Sequence, residues 1–208
     1  MHAPRHAEKF NAHLFSFFLI QVLVVGVAFV LPNYMQIVSH TTAIVASLVL
    51  LPGALIGACL APIGGKIYDQ LGPKKPILLG LVLQLLSVVL LAIVADHATT
   101  ILILIAYTLT MLGIGFAAGN IMTNGNQLSK QQNADGNALF NTLQQFAGAV
   151  GTSIVSVIFG LFQRNAGNYA ANTTNGAQLA FIYLIGVVLI NLISISIGLH
   201  KGTTNIKS

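Results

Sequence analysis

Six long apolar stretches dominate the chain, and its polar residues gather in the short segments between them. Each stretch reaches the roughly 17–25 residues that a helix needs to cross a bilayer at about 1.5 Å per residue. Apolar runs of this length are typical of membrane-spanning helices. The predicted spans are Leu14–Leu31, Thr42–Pro62, Pro76–Ala95, Ile101–Gly119, Leu139–Phe162 and Leu179–Leu199.

The spans predict an all-α membrane protein that crosses the lipid bilayer six times. Residues 1–13 form a predicted N-terminal segment, residues 14–199 a six-helix transmembrane bundle and residues 200–208 a tail. A basic start before an apolar run is also the pattern of a signal peptide. Because no cleavage-site pattern follows and five more spans do, we expect the first span to be a retained helix that ends at Pro32.

The chain holds nine Lys or Arg and four Asp or Glu among 208 residues, so that 6% of its residues are charged. An ordinary soluble domain has about 25%, and the composition therefore excludes a soluble globular protein. The single cysteine, Cys59, excludes a disulfide framework and a multi-cysteine metal site. The sequence has no nucleophile–base pair, phosphate-binding loop or metal-ligand cluster. It predicts no enzyme activity, no catalytic residue, no metal, no cofactor and no nucleic-acid partner.

The basic residues lie almost entirely on one side of the predicted membrane. Six spans place both termini on the same side, together with the second and the fourth connections. Eight basic residues fall on that side and only Arg164 falls on the other, and such a bias marks the cytoplasmic side. We therefore expect an integral, multi-pass protein of the cell membrane with both termini cytoplasmic. The eight are Arg5, Lys9, Lys66, Lys74, Lys75, Lys130, Lys201 and Lys207.

Small residues recur every four positions in the second and the fifth span. This spacing stacks them along one helix face, where they let another helix approach closely. The stripes predict tight helix contacts, and ordinary packing within the bundle is favoured over a dedicated dimer seam. The stripes consist of Gly53, Gly57, Ala61 and Gly65 in the second span, and of Gly148, Thr152, Ser156 and Gly160 in the fifth.

The segment Gly64–Lys75 connects the second and third spans. Gly65 and Gly72 permit close backbone approach or a positive φ, and Pro73 stops a helix from continuing. Asp69 is the only acidic residue among three lysines. A carboxylate at a helix boundary can accept backbone N–H bonds or pair with a basic group on a neighbouring helix. We therefore expect a tight turn in which Asp69 latches two helices in one conformation.

This segment resembles a signature of the major facilitator superfamily, Gly-x-x-x-Asp-Arg-x-Gly-Arg-Lys/Arg, which lies between the second and third helices of a half. Gln70 and Pro73 stand where the family prefers arginine. The Gly-Pro-basic ending is similar to that of the drug:proton antiporters with fourteen spans. The latch residues that the resemblance implies are Gly65, Asp69, Gly72, Lys74 and Lys75.

Three further segments are similar to that branch. Leu31–Gln36 resembles its Pro-x-Tyr-x-Gln exit from a helix, and Leu51–Gly53 resembles its Leu-Pro-Gly. Gln144–Gly151 resembles its Arg-Gln-x-Gly-Gly-x-x-Gly in the fifth helix of a half, which adds Gly151 to the residues expected at helix contacts. The resemblance covers about residues 10–199 and implies a C-terminal half of the superfamily fold.

The resemblance to one half implies a partner unit and a substrate site between this half and that unit. The superfamily places substrate between two six-helix halves, each an inverted pair of three-helix repeats. The partner expected here is an N-terminal half or, failing that, a second copy. No predicted span contains Asp, Glu, Lys or Arg away from its ends. Because embedded ionisable groups usually carry proton coupling, we expect coupling only together with another half.

Uncharged polar residues within the spans are the candidates for the substrate cavity. An amide in hydrocarbon needs a partner or a water-filled space. The resemblance implies that the first, second, fourth and fifth helices line the cavity, which favours Gln21, Tyr107, Gln144 and Gln145. For each of them, hydrogen bonding between helices is the favoured alternative. The mainly apolar walls suit a small apolar or amphipathic substrate.

The sequence thus predicts half of a multidrug efflux transporter that works by alternating access. Two alternatives stay open. The chain could be a truncated and inactive transporter fragment, or a non-transporting membrane protein with an interaction or assembly role that uses its small-residue stripes. The presence of the missing spans in a neighbouring reading frame would favour the transporter.

The charge distribution predicts that the Gly64–Lys75 turn faces the cytoplasm. In a Cys59→Ser background, a cysteine that replaces Gln70 should react with membrane-impermeant reagents only from the cytoplasmic side of sealed vesicles. Labelling from the outside alone would contradict the orientation.

Overall fold

The computed structural model describes residues 3–126 and 130–203, and it consists of six long helices. Each contains a segment long and apolar enough to cross a membrane. The prediction of an all-α fold with six spans is therefore confirmed. The helices are α1 (Ala3–Ile37), α2 (Ala43–Leu71), α3 (Lys74–Val94), α4 (Thr100–Gly125), α5 (Lys130–Gln163) and α6 (Tyr169–Thr203), and a 3₁₀ turn (Ala95–His97) extends α3.

Two helices, α1 and α4, form the centre of the bundle. Helix α4 packs against α2, α3 and α1, and α1 packs in addition against α5 and α6. In the apolar part of α1, 61% of the residues are buried, against 22% in both α2 and α5. Helices α2 and α5 therefore carry most of the surface that this chain leaves uncovered.

The larger of two main clusters of buried side chains joins all six helices and includes Leu31, Tyr107 and Leu184. The smaller one lies at the end of the bundle where α1 begins and α6 ends, which we call the terminal end. Its centre is Phe140 of α5, which meets the ring of Phe17 edge-on at a centroid distance of 5.1 Å. The apolar side chains thus fill the bundle along its length.

Helix α4 approaches α3 and α2 closely enough for backbones to touch. A Cβ added to Gly80 of α3 would lie 2.5 Å from the carbonyl oxygen of Gly113, and one added to Gly113 would lie 2.6 Å from that of Gly80. On the other side, a Cβ on Gly57 of α2 would lie 2.6 Å from the carbonyl oxygen of Met111. Only glycine fits at these crossings, because real Cβ atoms do not come so close to backbone.

Four of the glycines expected at helix contacts lie within the bundle, but the expectation is wrong for Gly65 and Gly160, where an added Cβ would meet no atom within 4 Å. Gly53 and Gly57 face α4, where a Cβ on Gly53 would meet the side chains of Tyr107 and Thr108 at 2.9 Å. On α5, a Cβ on Gly151 would lie 2.7 Å from the carbonyl oxygen of Val22 in α1. The remaining contact is looser, since a Cβ on Gly148 would lie 3.6 Å from Val25.

Most helices extend beyond the predicted spans, and the expected end of the first helix at Pro32 is wrong. Helix α1 does not end at Pro32 but continues to Ile37, and α2 continues past Pro62 to Leu71. Proline removes one backbone donor, and neighbouring polar side chains compensate for such losses inside membranes. In α1, the carbonyl that loses its backbone donor at Pro32 is that of Ala28. The side-chain amide of Asn33 donates to the next carbonyl oxygen, that of Phe29, at 2.7 Å.

The α3–α4 crossing predicts a stability difference between two glycines of one helix. Gly113→Ala should lower the free energy of unfolding by about 1–3 kcal/mol, because the added methyl group forces two backbones apart. Gly119→Ala is the matched control, since a Cβ there meets no atom within 4 Å, and alanine favours helix over glycine. Thermal unfolding of the two variants in detergent would measure the difference, and equal melting temperatures would contradict it.

Candidate functional site

The expected turn between the second and third spans is shorter than predicted. Helix α2 includes Gly65 and Asp69 and ends at Leu71, and α3 begins at Lys74. Gly72 and Pro73 connect the two helices, and Gly72 has a φ of +79° that favours glycine. Its N–H donates to the carbonyl oxygen of Tyr68 at 2.9 Å and closes the last turn of α2. The expected loop motif therefore lies mostly on the end of a helix.

The charged residues of this motif face outwards. Asp69, Lys74 and Lys75 are exposed, and within the described chain Asp69 forms no ion pair. Gly65 is half-buried, and a Cβ on it would meet nothing within 4 Å. The motif thus presents one carboxylate, two ammonium groups and a bare stretch of backbone at the terminal end.

Sequence reasoning missed a series of side-chain hydrogen bonds, called the polar chain below, that runs from the motif helix α2 into the bundle. The hydroxyl of Tyr68 donates to Oδ1 of Asn124 in α4 at 3.3 Å. Nδ2 of the same asparagine lies 2.7 Å from Nε2 of His13 in α1. Because His13 is fully buried, the polar chain links the motif helix α2 to the interior of the bundle. His13 and Asn124 are 111 positions apart, and no local pattern joins them.

The four cavity candidates are not brought into one cluster. Gln21 and Tyr107 are buried, with 5% and 9% of their surface exposed. Gln144 and Gln145 are exposed on α5. The next residue, Phe146, packs against Phe18 of α1 at a centroid distance of 6.0 Å. Tyr107 instead packs beside α2, on the other side of the bundle centre.

Helix α5 exposes amide side chains in its membrane-spanning part. Asn141, Gln144 and Gln145 are exposed within Ala134–Gln163, the apolar segment of α5. A side chain can form its hydrogen bond within its own helix: the hydroxyl of Thr152 donates to the carbonyl oxygen of Gly148 at 2.9 Å. In the described part of the chain, none of the three amides on α5 forms such a bond, so in hydrocarbon this face needs water or a partner.

A groove separates α2 and α4 over the part of α2 that leads to the motif. It has a volume of about 510 Å³, and its walls are built largely from small side chains. At Gly57 the groove is closed, because the backbones of α2 and α4 touch there. Towards the motif the groove is open, because a Cβ on Gly65 or Gly119 would meet no atom within 4 Å. The small-residue stripe of α2 thus makes a close contact at one end and a groove at the other.

Comparison with known proteins places this bundle in a family. The sequence profile of the Major Facilitator Superfamily matches residues 6–152. The chain belongs to the Major Facilitator Superfamily. Its six helices are one half of the superfamily fold, and it is a multi-pass membrane protein.

Several superfamily relatives carry names that refer to resistance. The chain is 33% identical to the lincomycin resistance protein LmrB of Bacillus subtilis, over 85% of this chain and 39% of the relative. It is 28% identical to the protein of that name from Listeria monocytogenes, over 88% of this chain and 41% of the relative. It is 30% identical to a multidrug resistance protein B homolog of Mycobacterium tuberculosis, over 64% and 25%. The chain thus spans about two fifths of the length of the first two.

The exposed carboxylate of Asp69 predicts a shift between conformers. Asp69→Asn keeps the shape and removes the charge, so a latch would weaken by about 1–3 kcal/mol. In the chain assembled with a second half, the rate at which a cysteine at Gln70 is labelled should then change several-fold. Asp96→Asn removes another exposed charge, outside the motif, and should not change the labelling rate. Unchanged labelling and transport in Asp69→Asn would rule out the latch.

Proposed function

We propose that this chain is the C-terminal half of a fourteen-span multidrug exporter of the cell membrane, with both termini cytoplasmic. It works by alternating access, in which two six-helix units rock about a site between them. The observation that carries the proposal is the amide face of α5, exposed within a segment apolar enough to span a membrane. Such a face is suited to a water-filled cavity against a second unit.

The exported compounds are small and apolar or amphipathic. The names of the relatives refer to lincomycin and to multiple drugs, which supports a drug as substrate. Gln144 and Gln145 would offer hydrogen-bond donors and acceptors beside the ring of Phe146, and Gln21 and Tyr107 would line deeper parts of the cavity. Proton coupling requires the second unit, because acidic residues occur only near or beyond the ends of the predicted spans.

The second unit covers the open sides of α2 and α5. Helix α2 exposes apolar side chains such as Leu51, Leu55 and Ile63, which suit lipid or another helix. The groove between α2 and α4 admits a helix closely, because its walls are small. An N-terminal half is the proposed occupant, and a second copy of this chain is the substitute when that half is absent.

The isolated chain should not export drugs. An unpaired amide in hydrocarbon costs roughly 2–7 kcal/mol, so the chain alone should dimerise through its amide face or be unstable. The detergent-corrected molecular mass and proton-gradient-dependent drug efflux from liposomes measure the two parts of this prediction. A stable monomer that exports drug against a gradient would refute it.

Two variants distinguish unpaired amides from general hydrophobicity as the cause of dimerisation. Gln144→Leu with Gln145→Leu should shift the isolated chain towards monomer, because the face no longer needs a partner. Gln70→Leu changes an exposed glutamine at the α2–α3 turn and should not shift it. Efflux restored by a co-expressed N-terminal half would support the transporter, whereas failure of every such pairing would favour an inactive fragment or an assembly protein.

A further inference from the structure

Gln84 lies at the midpoint of α3, which spans Lys74–Val94. Its side chain has no exposed surface, so water does not reach its amide in this arrangement. Neither the amide oxygen nor the amide nitrogen has a hydrogen-bond partner in the described chain. An amide enclosed in this way costs free energy, because it has lost its hydrogen bonds to water and gained none in the protein.

Close packing against α4 holds the side chain of Gln84 in place. A Cβ added to Gly113 of α4 would lie 2.5 Å from Cγ of Gln84 and 3.1 Å from its backbone nitrogen. The stem of the side chain therefore lies directly on the backbone of α4. Because the packing leaves no room at this point, the amide gains space for a hydrogen-bond partner when α3 and α4 move apart.

The half of α3 that follows Gln84, called its outer half, is bonded to three neighbouring helices. It receives hydrogen bonds from α1 and α6 and donates one to α4, either directly or through the 3₁₀ turn that extends it. These bonds anchor the outer half where it lies. The donors and acceptor carbonyl groups are Ser87 and Ala106 at 2.6 Å, Gln178 and Ala92 at 3.3 Å, and Tyr34 and Ala95 at 2.7 Å.

The half of α3 that precedes Gln84, residues 74–83, is called its terminal half. In the described chain, no side-chain hydrogen bond joins it to another helix. It is held by the apolar contacts of Ile77 and Leu81 and by the close approach of Gly80 to Gly113. Lipid competes well for such contacts, because it is as apolar as the side chains and provides no hydrophobic driving force between helices. The two halves of α3 are therefore attached with different strength.

We propose that α3 has a second arrangement, in which its terminal half parts from α4 while its outer half stays bonded. Separation gives the amide of Gln84 room for a partner, and this gain offsets the apolar contacts that are lost. Because α3 follows directly on Gly72 and Pro73, the movement displaces the turn that ends the motif. This conformational device goes beyond the proposed drug export, since it requires neither a second unit nor a substrate.

Distances between pairs of spin labels test the movement. In a Cys59→Ser background, the full chain is placed in lipid bilayer discs with an excess of unlabelled chain, so that only distances within one chain are measured. The terminal pair should give two distances and the outer pair only one. The terminal pair is Lys75→Cys with Thr123→Cys, and the outer pair is Ile93→Cys with Ile101→Cys, all at exposed positions. A single distance for the terminal pair, or two distances for both pairs, would overturn the proposal.

Removal of the amide tests its role. Gln84→Met keeps an unbranched stem and should lower the fraction of the longer distance several-fold. It should also raise the melting temperature, because the packed arrangement no longer encloses an unpaired amide. Asn191→Leu is the matched control and should lower the melting temperature, since Asn191 is 1% exposed but exchanges two hydrogen bonds with Ser16. A longer distance that keeps its share in Gln84→Met, or a lower melting temperature of that variant, would contradict the proposal.

A change on α4 should shift the balance in the other direction. Gly113→Ala should raise the fraction of the longer distance, because the added methyl group would meet Cγ of Gln84 and, at 2.6 Å, the carbonyl oxygen of Gly80. Gly119→Ala should leave the fraction unchanged, since a Cβ there meets no atom within 4 Å. An equal fraction in the two variants would rule out the α3–α4 contact as the place of separation and the proposal with it.

Discussion

The close approach of α4 to its neighbours is the constraint on which the rest of this bundle depends. Gly80, Gly113 and Gly57 place three backbones in contact, and no larger residue fits there. In a membrane, such packing supplies much of the energy of helix association, because lipid offers no hydrophobic driving force between helices. With α4 fixed against α2 and α3, its C-terminal end brings Asn124 between Tyr68 and His13. The polar chain thus exists because the glycine crossings set the position of α4.

Polar groups inside the bundle are mostly paired between helices rather than left to water. Ser16 of α1 and Asn191 of α6 exchange two hydrogen bonds, and Ser87 of α3 reaches the carbonyl oxygen of Ala106 in α4 at 2.6 Å. Gln84 is an exception, since both of its amide atoms are buried without a partner in the described chain. Against this background, Asn141, Gln144 and Gln145 of α5 stand out because their amides are exposed and not packed between helices.

The sequence was sufficient for the spans, because the length of an apolar run is a local property. It was insufficient for their ends, since Pro32 and Pro62 lie inside helices that the membrane environment sustains. Four-residue spacing marks Gly53 and Gly57 but not Gly80 and Gly113, which meet each other across two helices. His13 was missed for the same reason, since only the folded bundle brings it to Asn124. The roles of the latch and cavity residues stay predictions.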